Sequence, residues 1–271
     1  MALHCLDGVS VMESAAVLPA DSALLRYGEG WFETLRIEGG RAMFLEGHRA
    51  RLRESLHAAG FDSREALGLF DATAMSLIAR FGEGGPSSDA EAIGRLRILV
   101  TPRDSGGWSA LGRCEPYVPS TEWARSGVRA SVASLPHPQW GSLGKSASYH
   151  WSRYAQREAE ARGAEEALLA REGVLIEAAS AALLWRQRGQ WYTTEGQGEL
   201  PSVTVSELRR AGVNIAAGEL REAALRQLEG LCLVSALRLV VAVAAVDSQP
   251  VVVALDEARA LRELLRARHR A

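Results

Sequence analysis

The sequence predicts a mixed α/β chain built as two lobes, and three observations carry that expectation. Strand-like stretches alternate with stretches of helical spacing through the first hundred residues. Between Pro102 and Thr121 the pattern breaks into Gly, Ser, Pro and Asp, as a linker would. A chain of 271 residues with 47% apolar composition can bury one large core or two modest ones. We therefore expect a smaller N-terminal α/β domain over 1–108, a linker over 109–123, and a larger C-terminal α/β domain over 124–271 that carries Lys145.

Trp31 to Ile37 reads as a strand, Glu38-Gly39-Gly40 as a turn and Arg41 to Phe44 as the returning hairpin partner. Leu52, Leu56 and Ala59 recur at helical spacing from about Glu46 to Ala59, and Gly60 stops that helix. A second helix, about Ser63 to Phe81, sets Leu67, Phe70, Ala74, Leu77 and Ile78 on one face before the breakers Gly82 to Pro86. Arg95 to Thr101 is strand-like. Beyond the linker come a strand from Val128 to Leu135, a Pro136, Pro138 and Gly141 loop leading to Lys145, and a helix from Trp151 to Arg162. Short strands follow at 167–170, 174–178, 181–186 and 190–193, then helices near 205–211 and 221–228. A long apolar strand region, 231–246, and a basic helix from Asp256 complete the chain.

The formal net charge is -2, with acids and bases interspersed, so neither nucleic acid nor an anionic membrane is an expected partner. Met1 to Pro19 lacks the pattern of a signal peptide, and Ser235 and Arg238 interrupt the apolar run 231–246. The expected location is cytoplasmic. Three cysteines, Cys5, Cys114 and Cys232, are too few and too scattered for a disulfide framework or a zinc cluster, and free buried thiols are expected.

Of 31 basic residues one is a lysine, Lys145. Arginine, with a pKa above about 12, brings positive charge but no free amine; a desolvated lysine can lose its proton and become one. A codon bias toward arginine would give the same count, so the neighbours of Lys145 must decide. They form Gly141-Ser142-Leu143-Gly144-Lys145-Ser146, superficially like a phosphate-binding P-loop. The spacing fails, because Gln139 stands where that motif requires glycine and Pro136 and Pro138 break any strand leading in.

Other segments give Lys145 a context. They are Tyr27-Gly28-Glu29-Gly30-Trp31-Phe32-Glu33-Thr34-Leu35-Arg36, His48-Arg49-Ala50-Arg51-Leu52, Lys145-Ser146-Ala147-Ser148-Tyr149, Gly173-Val174-Leu175-Ile176-Glu177 and Gly198-Glu199-Leu200-Pro201-Ser202-Val203-Thr204. In this order, across Asp21 to Val246, the chain resembles the class IV (branched-chain fold) pyridoxal-phosphate enzymes, which include branched-chain and D-amino acid aminotransferases and aminodeoxychorismate lyases. The resemblance implies a two-lobed α/β fold with pyridoxal 5'-phosphate in the interlobe cleft, a small-molecule substrate and a homodimer.

Such a cofactor needs an amine for its aldehyde, an anion site for its phosphate and a carboxylate beside its pyridine nitrogen. The resemblance implies Lys145 as the amine, Arg51 as the guanidinium on the phosphate and Glu177 as the carboxylate. Val203 and Thr204 would complete the anion site. Thr204-Val205-Ser206-Glu207 has capping-box spacing, which would put free backbone N–H groups there. Tyr149, Ser235 and Ala236 are further expected cofactor contacts.

Two cues bear on the reaction. Phe32-Glu33-Thr34 and Ser235-Ala236-Leu237 resemble the lyases more than the transaminases, which makes Thr34 a candidate catalytic residue and points to conversion of 4-amino-4-deoxychorismate to 4-aminobenzoate and pyruvate. A transaminase of branched-chain or D-amino acids, or a member that lost activity, is the alternative. The sequence departs from the family pattern at Ser202, Val205 and Ala182, where glycine, arginine and asparagine are usual.

Overall fold

The computed structural model describes residues 2–82, 92–134, 144–247 and 249–270. The breaker run beyond Gly82 and the loop from Pro136 to Leu143 lie outside them. Two compact units result: one holds the chain up to Val118 together with 144–148, the other the chain from Pro119 apart from that segment.

The first unit is an antiparallel six-stranded sheet. In chain order its elements are β1 (Leu3–Leu6), β2 (Val9–Val11), α1 (Ala23–Tyr27), β3 (Trp31–Glu38), β4 (Arg41–Ala42), α2 (Leu45–Ala58), α3 (Arg64–Gly82), β5 (Gly94–Pro102) and β6 (Trp108–Pro116). The strands lie in the order β2-β1-β6-β5-β3-β4. Along β3 the side chains alternate: Trp31, Leu35 and Ile37 join Leu52 and Leu56 of α2 and Phe70, Ala74 and Leu77 of α3 in one buried cluster. The expected hairpin return stops at Ala42, because Phe44 takes a left-handed backbone (φ 56°) and the chain enters α2 at once.

Strand β6 is a correction, since the sequence pattern leaves Trp108 to Pro116 inside a linker. It pairs with β5 along its whole length. Its inward positions, Ala110, Gly112 and Cys114, are small, so the hydrophobic alternation is muted. The reason is the close approach of α3: a Cβ on Gly112 would lie 2.4 Å from Thr73 Cγ2 and 2.6 Å from Leu77 Cδ1. Gly112→Ala should therefore overpack this contact and destabilise the protein by about 1–3 kcal/mol, measurable as a lowered urea midpoint.

The sequence pattern puts Lys145 in the C-terminal domain, yet its segment packs with the first unit. The cause is main-chain pairing: Phe32 N–H donates to Lys145 O at 3.0 Å, Ala147 N–H donates to Gly30 O at 2.7 Å, and Ser146 bridges Trp31. Gly144 makes the approach possible. It has φ +70°, and a Cβ there would lie 2.3 Å from Ser55 Cβ on α2.

The second unit centres on a ten-stranded mixed sheet ordered β12-β11-β10-β14-β15-β7-β8-β9-β13, with β16 paired to β15. Its elements are α4 (Thr121–Ser126), β7 (Val128–Ser134), α5 (His150–Ala161), β8 (Glu166–Arg171), β9 (Val174–Ala178), β10 (Ala182–Gln187), β11 (Gln190–Thr194), α6 (Val203–Arg210), β12 (Ile215–Gly218), β13 (Leu220–Arg221), β14 (Gly230–Ser235), β15 (Leu239–Val246), β16 (Gln249–Pro250) and α7 (Leu255–Arg270). The apolar region 231–246 is thus an antiparallel pair turned at 236–238, with Ser235 opposite Leu239. The helix expected at 221–228 is a 3-10 segment, Glu222–Gln227. It buries Leu225, and the chain has left the helix by Leu228, whose backbone is extended. All three cysteines are buried free thiols, and burial pushes the Cys114 and Cys232 thiols up to about 12. Among the described residues no helix is long and apolar enough to cross a membrane.

Candidate active site

In the first unit, β3 and the segment 144–148 bring the lysine to a defined surface. Phe32 and Thr34 occupy alternate positions on β3, on the face opposite the Trp31–Leu35–Ile37 core. Lys145 Nζ lies 4.6 Å from the Phe32 ring centroid, and the Arg97 guanidinium lies 3.7 Å from the same centroid. A cation held on a ring face is attracted by the ring quadrupole. Thr34 is partly exposed beside this arrangement, opposite Arg97 in the β3–β5 register.

Arg51 also anchors a buried acid. Glu33 stands on the core face of β3 with its carboxylate fully buried. Arg51 Nε donates to Oε1 at 2.8 Å and Nη2 donates to Oε2 at 2.5 Å, a two-pronged contact from α2. His48, one turn earlier on α2, donates from Nδ1 to Oε2 at 2.7 Å. Burial alone would raise the Glu33 carboxyl, but the Arg51 charge and the three hydrogen bonds outweigh it and hold the group at about 2. Burial pushes His48 down despite Glu33, with the Arg51 and Lys145 charges adding to the effect, and keeps the ring neutral. A neutral ring that donates from Nδ1 leaves Nε2 as a bare acceptor, and that atom is buried with no hydrogen-bond partner among the described residues. Glu33 and His48 thus belong to this region, although the sequence pattern alone assigns them no role. The signal was an acid at an apolar strand position, which requires a cation nearby.

The second unit holds the other expected residues. Glu177 lies on β9, one residue before its end, and its Oε2 accepts the Leu200 N–H at 3.2 Å, tying it to the run that enters α6. The helix begins at Val203, and the cap is Ser202 rather than Thr204. Ser202 Oγ accepts the Val205 N–H at 3.3 Å, so the Thr204 capping box does not form. Glu207, its expected fourth member, instead accepts from Arg268 Nε at 2.6 Å and pairs with Arg210. Val203 and Thr204 become the first two helical residues, whose N–H groups have no intrahelical partner. The Tyr149 hydroxyl donates to Ala179 O at 2.5 Å, two residues after Glu177. Ser235 and Ala236 open the β14–β15 turn, where Ser235 Oγ accepts the Arg238 N–H at 3.4 Å.

A family model for class IV aminotransferases matches residues 30–246. The chain belongs to the class IV aminotransferase family. Solved structures agree in fold. A hypothetical aminotransferase from Mycobacterium tuberculosis, in its PLP-bound form, superposes with a TM-score of 0.85 at 24% identity over 99% of both chains. A fold IV transaminase from Curtobacterium pusillum gives 0.86 at 21% identity over 98% of both chains. The branched-chain amino acid aminotransferase of Escherichia coli gives 0.80 at 17% identity over 96% of this chain and 92% of its own. No curated protein sequence matches the chain significantly.

Proposed function

We propose that this class IV family member is a pyridoxal-phosphate-dependent lyase that converts 4-amino-4-deoxychorismate to 4-aminobenzoate and pyruvate. The observation that carries the proposal is the surface around Lys145: its Nζ rests on Phe32, and Thr34, the lyase-like residue, shares that strand face.

The donor set fits the cofactor. Lys145 offers the chain's one side-chain amine. Arg51 is held by Glu33 through two of its five donors, which orients the guanidinium for a phosphate. The start of α6 offers N–H groups and the positive end of a helix dipole, and Glu177 offers a carboxylate for a pyridine nitrogen. Bound pyridoxal phosphate supplies an aldehyde carbon and a ring that accepts electrons. Lys145 Nζ would hold that aldehyde and, once released by the substrate amine, take the proton from substrate C4. Thr34 Oγ would assist that proton transfer. The C3–O bond then breaks, its electrons leaving with enolpyruvate, which takes up a proton to become pyruvate while the remaining ring becomes aromatic. Tyr149, Ser235 and Ala236 would position the cofactor in this reading. A homodimeric, cytoplasmic enzyme of folate synthesis is the setting that the family resemblance implies.

A transaminase is the second reading, favoured by the names of the structural neighbours; the Mycobacterium tuberculosis protein is also solved with α-ketoglutarate and PMP. One experiment separates the two. The yellow protein is mixed with 4-amino-4-deoxychorismate, and pyruvate and 4-aminobenzoate are expected in equal amounts over many turnovers with no keto acid added. Conversion of the cofactor to pyridoxamine phosphate by an amino donor, without pyruvate release from aminodeoxychorismate, would overturn the lyase reading in favour of the transaminase. Protein that stays colourless after pyridoxal phosphate is added would overturn both.

A further inference from the structure

The second unit contains a buried ion pair that the roles above leave unused. Arg238 Nη2 lies 2.7 Å from Glu166 Oε2, with the two side chains 9% and 3% exposed. Glu166 Oε1 accepts the Ser180 N–H at 2.8 Å, and Ser180 Oγ lies 3.0 Å from both carboxylate oxygens. Arg238 also donates to Ser180 Oγ, and its guanidinium sits 5.5 Å from the Trp123 ring centroid.

The place of this network in the fold gives it meaning. Arg238 closes the β14–β15 turn that begins at Ser235, and the next residue, Leu239, holds a left-handed backbone at φ 58°. Such a conformation is unfavourable for leucine and persists only where the surroundings enforce it. Ser180 lies in the turn between β9 and β10, three residues after Glu177, beside the carbonyl that receives the Tyr149 hydroxyl. Burying two charges seldom stabilises a fold more than an apolar pair of the same size would, so the network's contribution is geometric. It joins two turns that are distant in sequence through one forked guanidinium and one serine.

We propose that Arg238 is a positioning residue that, through Glu166 and Ser180, clamps the Ser235–Ala236 turn to the Glu177 turn and so fixes the spacing of the cofactor-holding groups of the second unit. The proposal rests on the cofactor reading of Ser235, Ala236 and Glu177 given above. A fork, and not merely a charge, is required, so lysine should not replace it.

The test is titration of cofactor-stripped full-length protein with pyridoxal phosphate, followed by quenching of tryptophan fluorescence, for the parent, Arg238→Met, Arg238→Lys, Ser180→Ala and the Arg238→Met/Ser180→Ala double variant. Arg238→Met and Arg238→Lys should each raise the dissociation constant about tenfold, with Ser180→Ala adding nothing further in the double variant, because coupled residues are non-additive. Circular dichroism and the urea midpoint identify folded variants; should Arg238→Met fail to fold, Arg238→Lys and Ser180→Ala carry the same comparison. Dissociation constants within twofold of the parent, full rescue by lysine, or additive effects in the double variant would overturn the clamp while the parent's binding leaves the functional reading standing. A parent that does not bind pyridoxal phosphate overturns both.

Discussion

Lys145→Ala should lower turnover by about 10⁴-fold or more and leave a protein that no longer develops the yellow colour of the parent when pyridoxal phosphate is added. The loss would be chemical rather than structural. The contacts that seat the segment are made by main-chain atoms, the Lys145 carbonyl and the Ala147 N–H among them, and an alanine preserves them. The close approach to α2 is made by Gly144, which is untouched. Pyruvate release, the visible absorbance spectrum and far-ultraviolet circular dichroism measured together check this. Retained activity or retained colour with the native fold would remove Lys145 from the site.

Glu33→Ala should be the most destabilising single change in the first unit, at about 3–5 kcal/mol, because it leaves the Arg51 charge without its buried counter-ion. The same group makes stability depend on pH. The folded Glu33 carboxyl is held at about 2, below its ordinary 4.5. Its contribution is therefore complete above the ordinary value and is lost as pH falls toward 2, since the unfolded chain binds the proton first. His48 acts in the same direction, because burial holds its folded state below 6.5 and the unfolded chain is protonated first on acidification. Urea melts from pH 7 down to pH 3 should show stability falling in both windows. In Glu33→Gln the part of the fall below about pH 4.5 should diminish. An acid limb identical in parent and variant would contradict the assignment of the buried ion pair.

Most elements were legible because their side chains repeat at the period of the structure that holds them. Leu52 and Leu56 mark α2, and Leu67, Phe70, Ala74 and Leu77 mark α3, since the same residues form the core beneath the sheet. Strand β6 was hidden because the helix above it leaves no space for a side chain at Gly112, and its neighbouring inward position, Ala110, is also small. Strands β1 and β2 are four and three residues long, too short for a period to register. The segment around Lys145 could be singled out from its one amine, but its unit could not be read from sequence. That depends on backbone hydrogen bonds to Gly30 and Phe32, more than a hundred residues earlier. The Glu33–Arg51–His48 cluster was half legible: its residues stood in the recognised segments, while their pairing needed the register that aims Glu33 at α2. The cap at α6 was misplaced by two residues because Ser202 and Thr204 are both good capping residues, and the hydrogen bond to Val205 N–H decides between them.

The central claim is that the chain's single lysine carries the cofactor, and borohydride trapping tests it most directly. The protein is incubated with pyridoxal phosphate, reduced, digested and mapped by mass spectrometry. One phosphopyridoxyl group per chain on the peptide containing Lys145 is the expected result. A label confined to the N-terminal amine, or no label at all on folded protein, would contradict it.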